Sequence, residues 1–158
     1  MLWPTLYVAA VVLVNWLFSV VPMVMTPWGD PWSVAAIVVG FVFIVRDYAQ
    51  RAIGHWVLLG TAIGIAISYL MADPRVAIAS AAAFAASELS DWAIYTITKK
   101  PFAERVLLSS LVAVPIDTGV FLAGIGGLTT TGFVVMCLSK LVALAIVVPR
   151  ARATPQAA

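Results

Sequence analysis

Long apolar runs, broken at short intervals by turn-forming clusters, organise this chain. A first run spans about 3–25. It is closed by Pro27-Trp28-Gly29-Asp30-Pro31, a cluster of residues that favour turns. A second begins near Trp32, is continuously apolar to Val45, then carries Arg46-Asp47-Tyr48-Ala49-Gln50-Arg51 before Gly54. Twenty residues from Trp32 reach Arg51, so the polar stretch reads as the last turns of the same helix. Further runs cover about 55–71, 76–97, 105–125 and 131–148, separated by Asp73-Pro74, Thr98-Lys99-Lys100-Pro101 and Gly126-Gly127. At about 20 residues per crossing, these six runs match the hydrocarbon core of a bilayer. The expected fold is an all-α integral membrane protein with six transmembrane helices. They form one domain over residues 1–150, and 151–158 are a short cytoplasmic tail beginning after Pro149.

Composition agrees. Hydrophobic residues make up 63% of the 158 positions and charged residues 10%, against roughly 25% charged in soluble domains. Six spans leave only short loops, with no room for a soluble domain, and no nucleotide-binding loop of the Walker type is present. The first run has no Lys or Arg before it and no clear small-residue cleavage site, so it reads as a retained helix.

Charge sets the orientation. The second loop, the fourth loop and the C-terminus carry Arg46, Arg51, Lys99, Lys100, Arg105, Arg150 and Arg152; the other loops carry only Arg75. Cytoplasmic loops of membrane proteins are enriched in Lys and Arg. Seven against one therefore places both termini in the cytoplasm, which requires an even number of spans.

Three ionisable residues, Glu88, Asp117 and Lys140, fall far from the ends of their runs. Each costs roughly 2.5–3.5 kcal/mol to insert at the bilayer centre and calls for a bundle interior or a watery cavity. Lys140 can neutralise one of the two acids as a buried pair, which leaves the other for something else. Phe84, Glu88, Asp91 and Tyr95 follow i, i+4, i+7, i+11 and share one helical face; Ser110, Asp117 and Phe121 share another. Aromatics beside acids suit a flat, nitrogen-rich ligand. The ring stacks, and a carboxylate accepts paired N–H bonds of the kind a guanine-like edge offers. Asn15 is a mid-span amide suited to interhelix bonding or ligand contact. Asp47 and Gln50 lie near the cytoplasmic end of the second span, either lining an inner gate or solvated.

Other polar residues read more plainly. Cys137 is a small packing residue, and His55 is interfacial. Gly60, Gly64 and Ser68 form a small-residue stripe for close helix packing, within a protomer or between copies in a homo-oligomer. No metal-ligand cluster, cofactor motif or nucleophile–base pair is visible, so neither an enzyme nor a nucleic-acid binder is expected. Asp91 and Asp117 could supply a paired-aspartate intramembrane protease, but their flanks do not match one.

Several segments resemble the queuosine-precursor transporter family, also called the vitamin uptake transporter family. They are Ser87-Glu88-Leu89-Ser90-Asp91, Lys99-Lys100-Pro101-Phe102, Arg105-Val106-Leu107-Leu108-Ser109-Ser110 and Val114-Pro115-Ile116-Asp117-Thr118 with Phe121. A lysine on the last span and Asp47 on the second fit the same pattern, and the likeness runs from about Val45 to Pro149. The resemblance implies a bacterial inner-membrane importer of 7-cyano-7-deazaguanine or a related deazapurine. It also implies a six-helix fold akin to the substrate-binding subunits of energy-coupling-factor vitamin transporters. The binding positions it implies are Asp47, Glu88, Asp91, Asp117 and Lys140. A subunit of that multi-component kind is the main alternative. It often carries an AxxxA stripe on its first span; here Ala9 and Ala10 are followed four positions on by Leu13 and Val14. An assembly factor or intramembrane enzyme fits the buried charges less well.

Overall fold

The computed structural model describes residues 2–73 and 77–153. Arg75, the one cation expected on the far face, and the tail beyond 153 lie outside the described residues. Six α-helices make up nearly all of the described chain. They are α1 (Leu2–Val20), α2 (Ala35–Ile53), α3 (Val57–Met71), α4 (Ala77–Ile97), α5 (Phe102–Gly124) and α6 (Thr130–Ala153). Four stretches are long and apolar enough to cross a membrane: Leu2–Val20, the 37-residue stretch Ala35–Met71, Phe102–Gly124 and Thr130–Pro149. The sequence reading gave six. The difference lies in α3, only 15 residues long and continuous in the chain with α2, and in α4, whose apolar character is diluted by Glu88, Asp91 and several serines.

Helix boundaries differ from expectation at the end of the first helix and the end of the last. The first helix stops at Val20, not near Met25, because Pro22 disfavours helical backbone at the residue before it. Val24–Met25 instead pairs antiparallel with Pro31–Trp32 in a small hairpin. Gly29 at its turn has φ 87°, which a glycine adopts without strain. The last helix runs through Pro149 to Ala153. Proline there removes one hydrogen bond in the closing turns, which α6 tolerates so near its end. Between α2 and α3 the chain reverses at a 3-10 turn, Gly54–Trp56. Gly54 caps α2 with φ 59°, its N–H bonding to the carbonyl of Gln50.

Cross-helix contacts fix the directions. Trp3 stacks on Tyr48, Tyr7 meets Thr61, His55 meets Trp92, and Tyr95 meets Phe102. The six helices therefore alternate, and Leu2, the α2–α3 turn, the α4–α5 turn and the end of α6 share one face. The hairpin and the α3–α4 and α5–α6 links share the other. Large apolar side chains such as Leu6, Leu13, Trp16, Leu59, Leu70, Ile78 and Leu138 are exposed on the outside of the bundle. So much exposed apolar surface suits lipid better than water.

Glycines set how closely the helices approach. A Cβ at Gly40 would lie 1.9 Å from the backbone oxygen of Lys140, so α2 and α6 are in backbone contact there. A Cβ at Gly64 would lie 2.8 Å from the Phe84 ring. The Gly60, Gly64, Ser68 stripe is thus filled from inside the protomer, by Tyr7, Phe84 and Asn15.

Candidate functional site

A cavity of about 610 Å³ sits between the helices on the loop side of the bundle. Met23 and Asp73 stand at its mouth, and Asn15, Glu88, Asp117 and Lys140 lie at its inner end. Phe18, Phe43, Phe84 and Phe121 wall it from four different helices. Six of the residues singled out from sequence are thus brought together: Asn15, Phe84, Glu88, Asp117, Phe121 and Lys140.

The floor is built from three anchored groups. Lys140, 2% exposed, donates to Asp117 Oδ2 and to Thr118 Oγ1 at 2.9 Å. That fixes which acid the lysine neutralises, since Asp117 and Thr118 sit where α5 packs on α6. Asp117 Oδ1 accepts a bond from Ser87 at 3.3 Å. Asn15 donates to the Val11 carbonyl at 2.9 Å and to Ser68 at 3.2 Å, tying α1 to α3. Glu88 is the third anchor and differs from the other two. Its Oε2 accepts from the Tyr7 hydroxyl at 2.6 Å, whereas its Oε1 has no hydrogen-bond partner among the described residues.

Beneath Glu88, away from the mouth, lies a sealed ionic network. Arg46 is at its centre with 0% exposure. It donates to Asp47 Oδ1 at 2.7 Å and lies 3.4 Å from both Glu88 Oε2 and Asp91 Oδ2. Ser109 donates to Asp47 Oδ2 at 3.0 Å. Asp47, Glu88, Asp91 and Ser109 are all fully buried. Three carboxyl groups therefore share one guanidinium. Below them an aromatic row, Trp3, Tyr48, Phe102 and Tyr95, closes the bundle at the termini face, with Arg51 over the Phe102 ring and Arg105 over the Tyr95 ring.

This geometry divides the expected site. Asp47, Asp91 and Tyr95 do not line the cavity. The α4 stripe is one helical face, as its spacing requires, but it runs past the floor. Phe84 and Glu88 meet the cavity, Asp91 enters the network, and Tyr95 packs on Phe102. Ser110 is buried, its hydroxyl has no hydrogen-bond partner among the described residues, and it does not line the cavity. Gln50 is not a solvated helix end: it is 5% exposed and donates to Thr96 at 2.9 Å.

Two residues carry more than their sequence context gave them. Arg46 counts by sequence with the cytoplasmic surface cations, yet it is buried two turns inside α2. Its signal was span arithmetic: a helix that continues to Arg51 must hold Arg46 below the surface. Tyr7 reads as an interfacial aromatic, but it is 1% exposed and reaches Glu88 across the bundle. Nothing in its neighbourhood along the chain signals that, because its partner is on α4.

Chemically, the floor offers one carboxylate oxygen without a partner beside a neutralised acid–lysine pair, under aromatic walls. It can accept hydrogen bonds from a flat donor-bearing ligand. Among the described residues no group of three or more His, Cys, Asp or Glu is placed to hold a metal ion. Compared with protein-family models, with curated proteins and with solved structures, the chain matches none.

Proposed function

We propose that this protein is a six-span carrier of the bacterial inner membrane that imports a queuosine precursor, 7-cyano-7-deazaguanine or a related deazapurine, through the cavity above Glu88. The observation that carries the reading is the floor itself. Glu88, whose Oε1 has no hydrogen-bond partner among the described residues, lines one cavity with the Asp117–Lys140 pair and with Phe84 and Phe121. About 610 Å³ lies within the roughly 300–1,000 Å³ typical of small-molecule sites. A guanine-like edge presents a ring N–H and an exocyclic amine side by side, and the unpartnered Oε1 of Glu88, with its two lone pairs, can accept from that edge while Oε2 keeps the Tyr7 hydroxyl. The sequence segments that resemble the queuosine-precursor transporters include Glu88 and Asp117 themselves.

The packing supports six spans. An α4 too polar to cross alone can cross inside a bundle that buries Glu88 and Asp91. An α3 of 15 residues, roughly 22 Å long, is completed by the turn that joins it to α2. Arg51, Lys99 and Lys100 stand exposed on the face shared with the termini, which favours that face as cytoplasmic. The cavity then opens to the outside. Reporter fusions at Pro155 and at Gly126 should read inside and outside; both on one side would overturn the topology.

The substrate is tested by adding deazapurines, purines and vitamins to the purified protein and following thermal unfolding. At a hundredfold excess over its dissociation constant, the true ligand adds about 2.7 kcal/mol to the folded state. Uptake follows in a host lacking both precursor synthesis and its own importer, read as queuosine in tRNA. Expression in the membrane without recovery counts against the reading. A solitary carrier is preferred to an energised binding subunit because α1 lacks an AxxxA stripe.

A further inference from the structure

We propose that the sealed network under the floor is a proton-binding site, in which Asp91 holds a proton in the ligand-free protein and releases it when a ligand's N–H donors engage Glu88. The first half stands on the network's geometry alone; the second rests on the transporter reading.

Three fully buried carboxyl groups surround one guanidinium, so full ionisation would leave two uncompensated negative charges out of contact with water. The second buried cation gives no relief. Lys140 is held by Asp117 and Thr118. An unpaired buried carboxylate neutralises itself by taking a proton. Every element packed around the network can be canvassed for help. From α1 comes Tyr7, whose hydroxyl goes to Glu88. From α2 come Arg46, with Asp47 as its closest partner, and Gln50, which turns to Thr96. From α3 comes only Thr61, bonded to Tyr7. From α5 comes Ser109, which donates to Asp47.

The three acids are therefore not equivalent. Asp47 has the guanidinium at 2.7 Å and a hydroxyl at 3.0 Å. Glu88 has a phenol at 2.6 Å and the guanidinium at 3.4 Å. Asp91 has the guanidinium at 3.4 Å, and neither of its oxygens has a hydrogen-bond partner among the described residues. The least stabilised carboxylate takes a proton, and the one excess charge that remains is held on Glu88 and Asp47 by the Tyr7 and Ser109 hydroxyls.

Glu88 joins this site to the cavity. Its Oε1 has no hydrogen-bond partner among the described residues, while its Oε2 faces Arg46 and Tyr7. A ligand that donates to Glu88 supplies part of what Arg46 now supplies. The guanidinium then turns fully to Asp91. The Asp91 O–H bond breaks and its electron pair stays on the carboxylate against the guanidinium, while the ligand's N–H donors offset the charge on Glu88. The proton leaves for bulk water, which requires the seal of the network to open. Binding one ligand expels one proton, so raising the pH favours binding; the linkage is about tenfold in affinity per pH unit while the release is complete.

The test is the infrared spectrum of the full-length protein in lipid at neutral pH, where a protonated carboxyl shows a C=O stretch that a carboxylate lacks. The wild type should show this band, Asp91→Asn should lose it, and Asp91→Glu should keep it at a displaced frequency. Retention of an acid in the last variant guards against a loss caused by misfolding. A wild type without the band, a band that survives Asp91→Asn, or a band unmoved by Asp91→Glu overturns the proton site. Addition of 7-cyano-7-deazaguanine should then reduce the band, and its affinity should rise with pH in the wild type but not in Asp91→Asn. Binding that leaves the band unchanged and is pH-independent overturns the coupling. No binding beside an intact band overturns the substrate proposal and supports the proton site.

Discussion

Replacing Arg46 by methionine distinguishes a buried hub from a surface charge. A cytoplasmic topology determinant can lose its charge at little cost to folding, within about 0.5 kcal/mol. The structure requires more. Arg46 has 0% exposure and is the one cation, among the described residues, within ion-pair distance of Asp47, Glu88 and Asp91. Its removal strands buried carboxylates, and breaking a buried pair from one side costs about 3–5 kcal/mol. For a chain of this size each kcal/mol moves Tm by about 2–4 °C, so the melting temperature should fall by roughly 6–20 °C. The assay is tryptophan fluorescence against temperature in one detergent, with Lys99→Met, an exposed cation, as the control. Adding Asp47→Asn to Arg46→Met removes the stranded charge nearest the lost guanidinium. It should restore about 0.5–3 kcal/mol, the range of coupling between residues in contact. If Arg46→Met melts with Lys99→Met, or if Asp47→Asn adds its own loss in full, the network does not hold the bundle together.

Further outcomes follow from particular contacts. Gly40→Ala should destabilise despite alanine's better helix propensity: its Cβ would sit 1.9 Å from the Lys140 carbonyl oxygen, and overpacking typically costs about 1–3 kcal/mol, seen as a lower Tm. Tyr7→Phe removes a hydroxyl that donates to buried Glu88 at 2.6 Å and should cost about 1.5–3 kcal/mol in Tm-derived stability, with no change in volume to blame. Lys140→Met should destabilise more than Lys140→Met combined with Asp117→Asn, because only the single variant leaves a stranded acid on the floor; equal melting of the two would show that Asp117 does not need the lysine. Glu88→Gln should lose deazapurine binding strongly, since it replaces the charged acceptor by a neutral amide whose NH2 group opposes N–H donors, while Asp117→Asn should chiefly lower expression and Tm.

Periodicity made the helices legible, and the cost of burying charge made the floor legible. Glu88, Asp117 and Lys140 sit mid-run in the sequence, and nothing but a shared interior could hold them. The α4 stripe was likewise a matter of spacing along one helix. What spacing could not give was depth relative to neighbours. Whether Asp91 and Tyr95 meet the cavity or pass beneath it depends on where α5 and α2 cross α4, and that is set by contacts such as Gly40 against Lys140. Arg46 was misjudged for a related reason. Next to Asp47 and Arg51 it looks like one charge in a solvated helix end, and only its partners on α4 distinguish it. Tyr7 and Ser109 were invisible because each acts through a residue 81 or 62 positions away.

The two polar layers differ in a way that bears on the proposed transport. Asp117 and Lys140 are balanced against each other, so their layer can stay intact whether or not the cavity is filled. The layer below has more acid than base and closes the route from the cavity to the termini face, with the aromatic row beneath it. A dry, fully paired plug would hold that route shut whatever occupied the cavity. A plug whose charge is unbalanced is instead sensitive to any group that competes for Arg46, and Glu88 is the one acid that belongs to both layers. A ligand seated on Glu88 would therefore change the energy of the plug through the one acid the two layers share. That is the minimum a carrier needs if the filled and empty cavity are to favour different closures of the inner end, because a ligand can shift such an equilibrium only by its differential affinity for the two states. Charge pairs kept solely to fix helix packing would have no reason to leave Glu88 Oε1 and both oxygens of Asp91 without hydrogen-bond partners among the described residues.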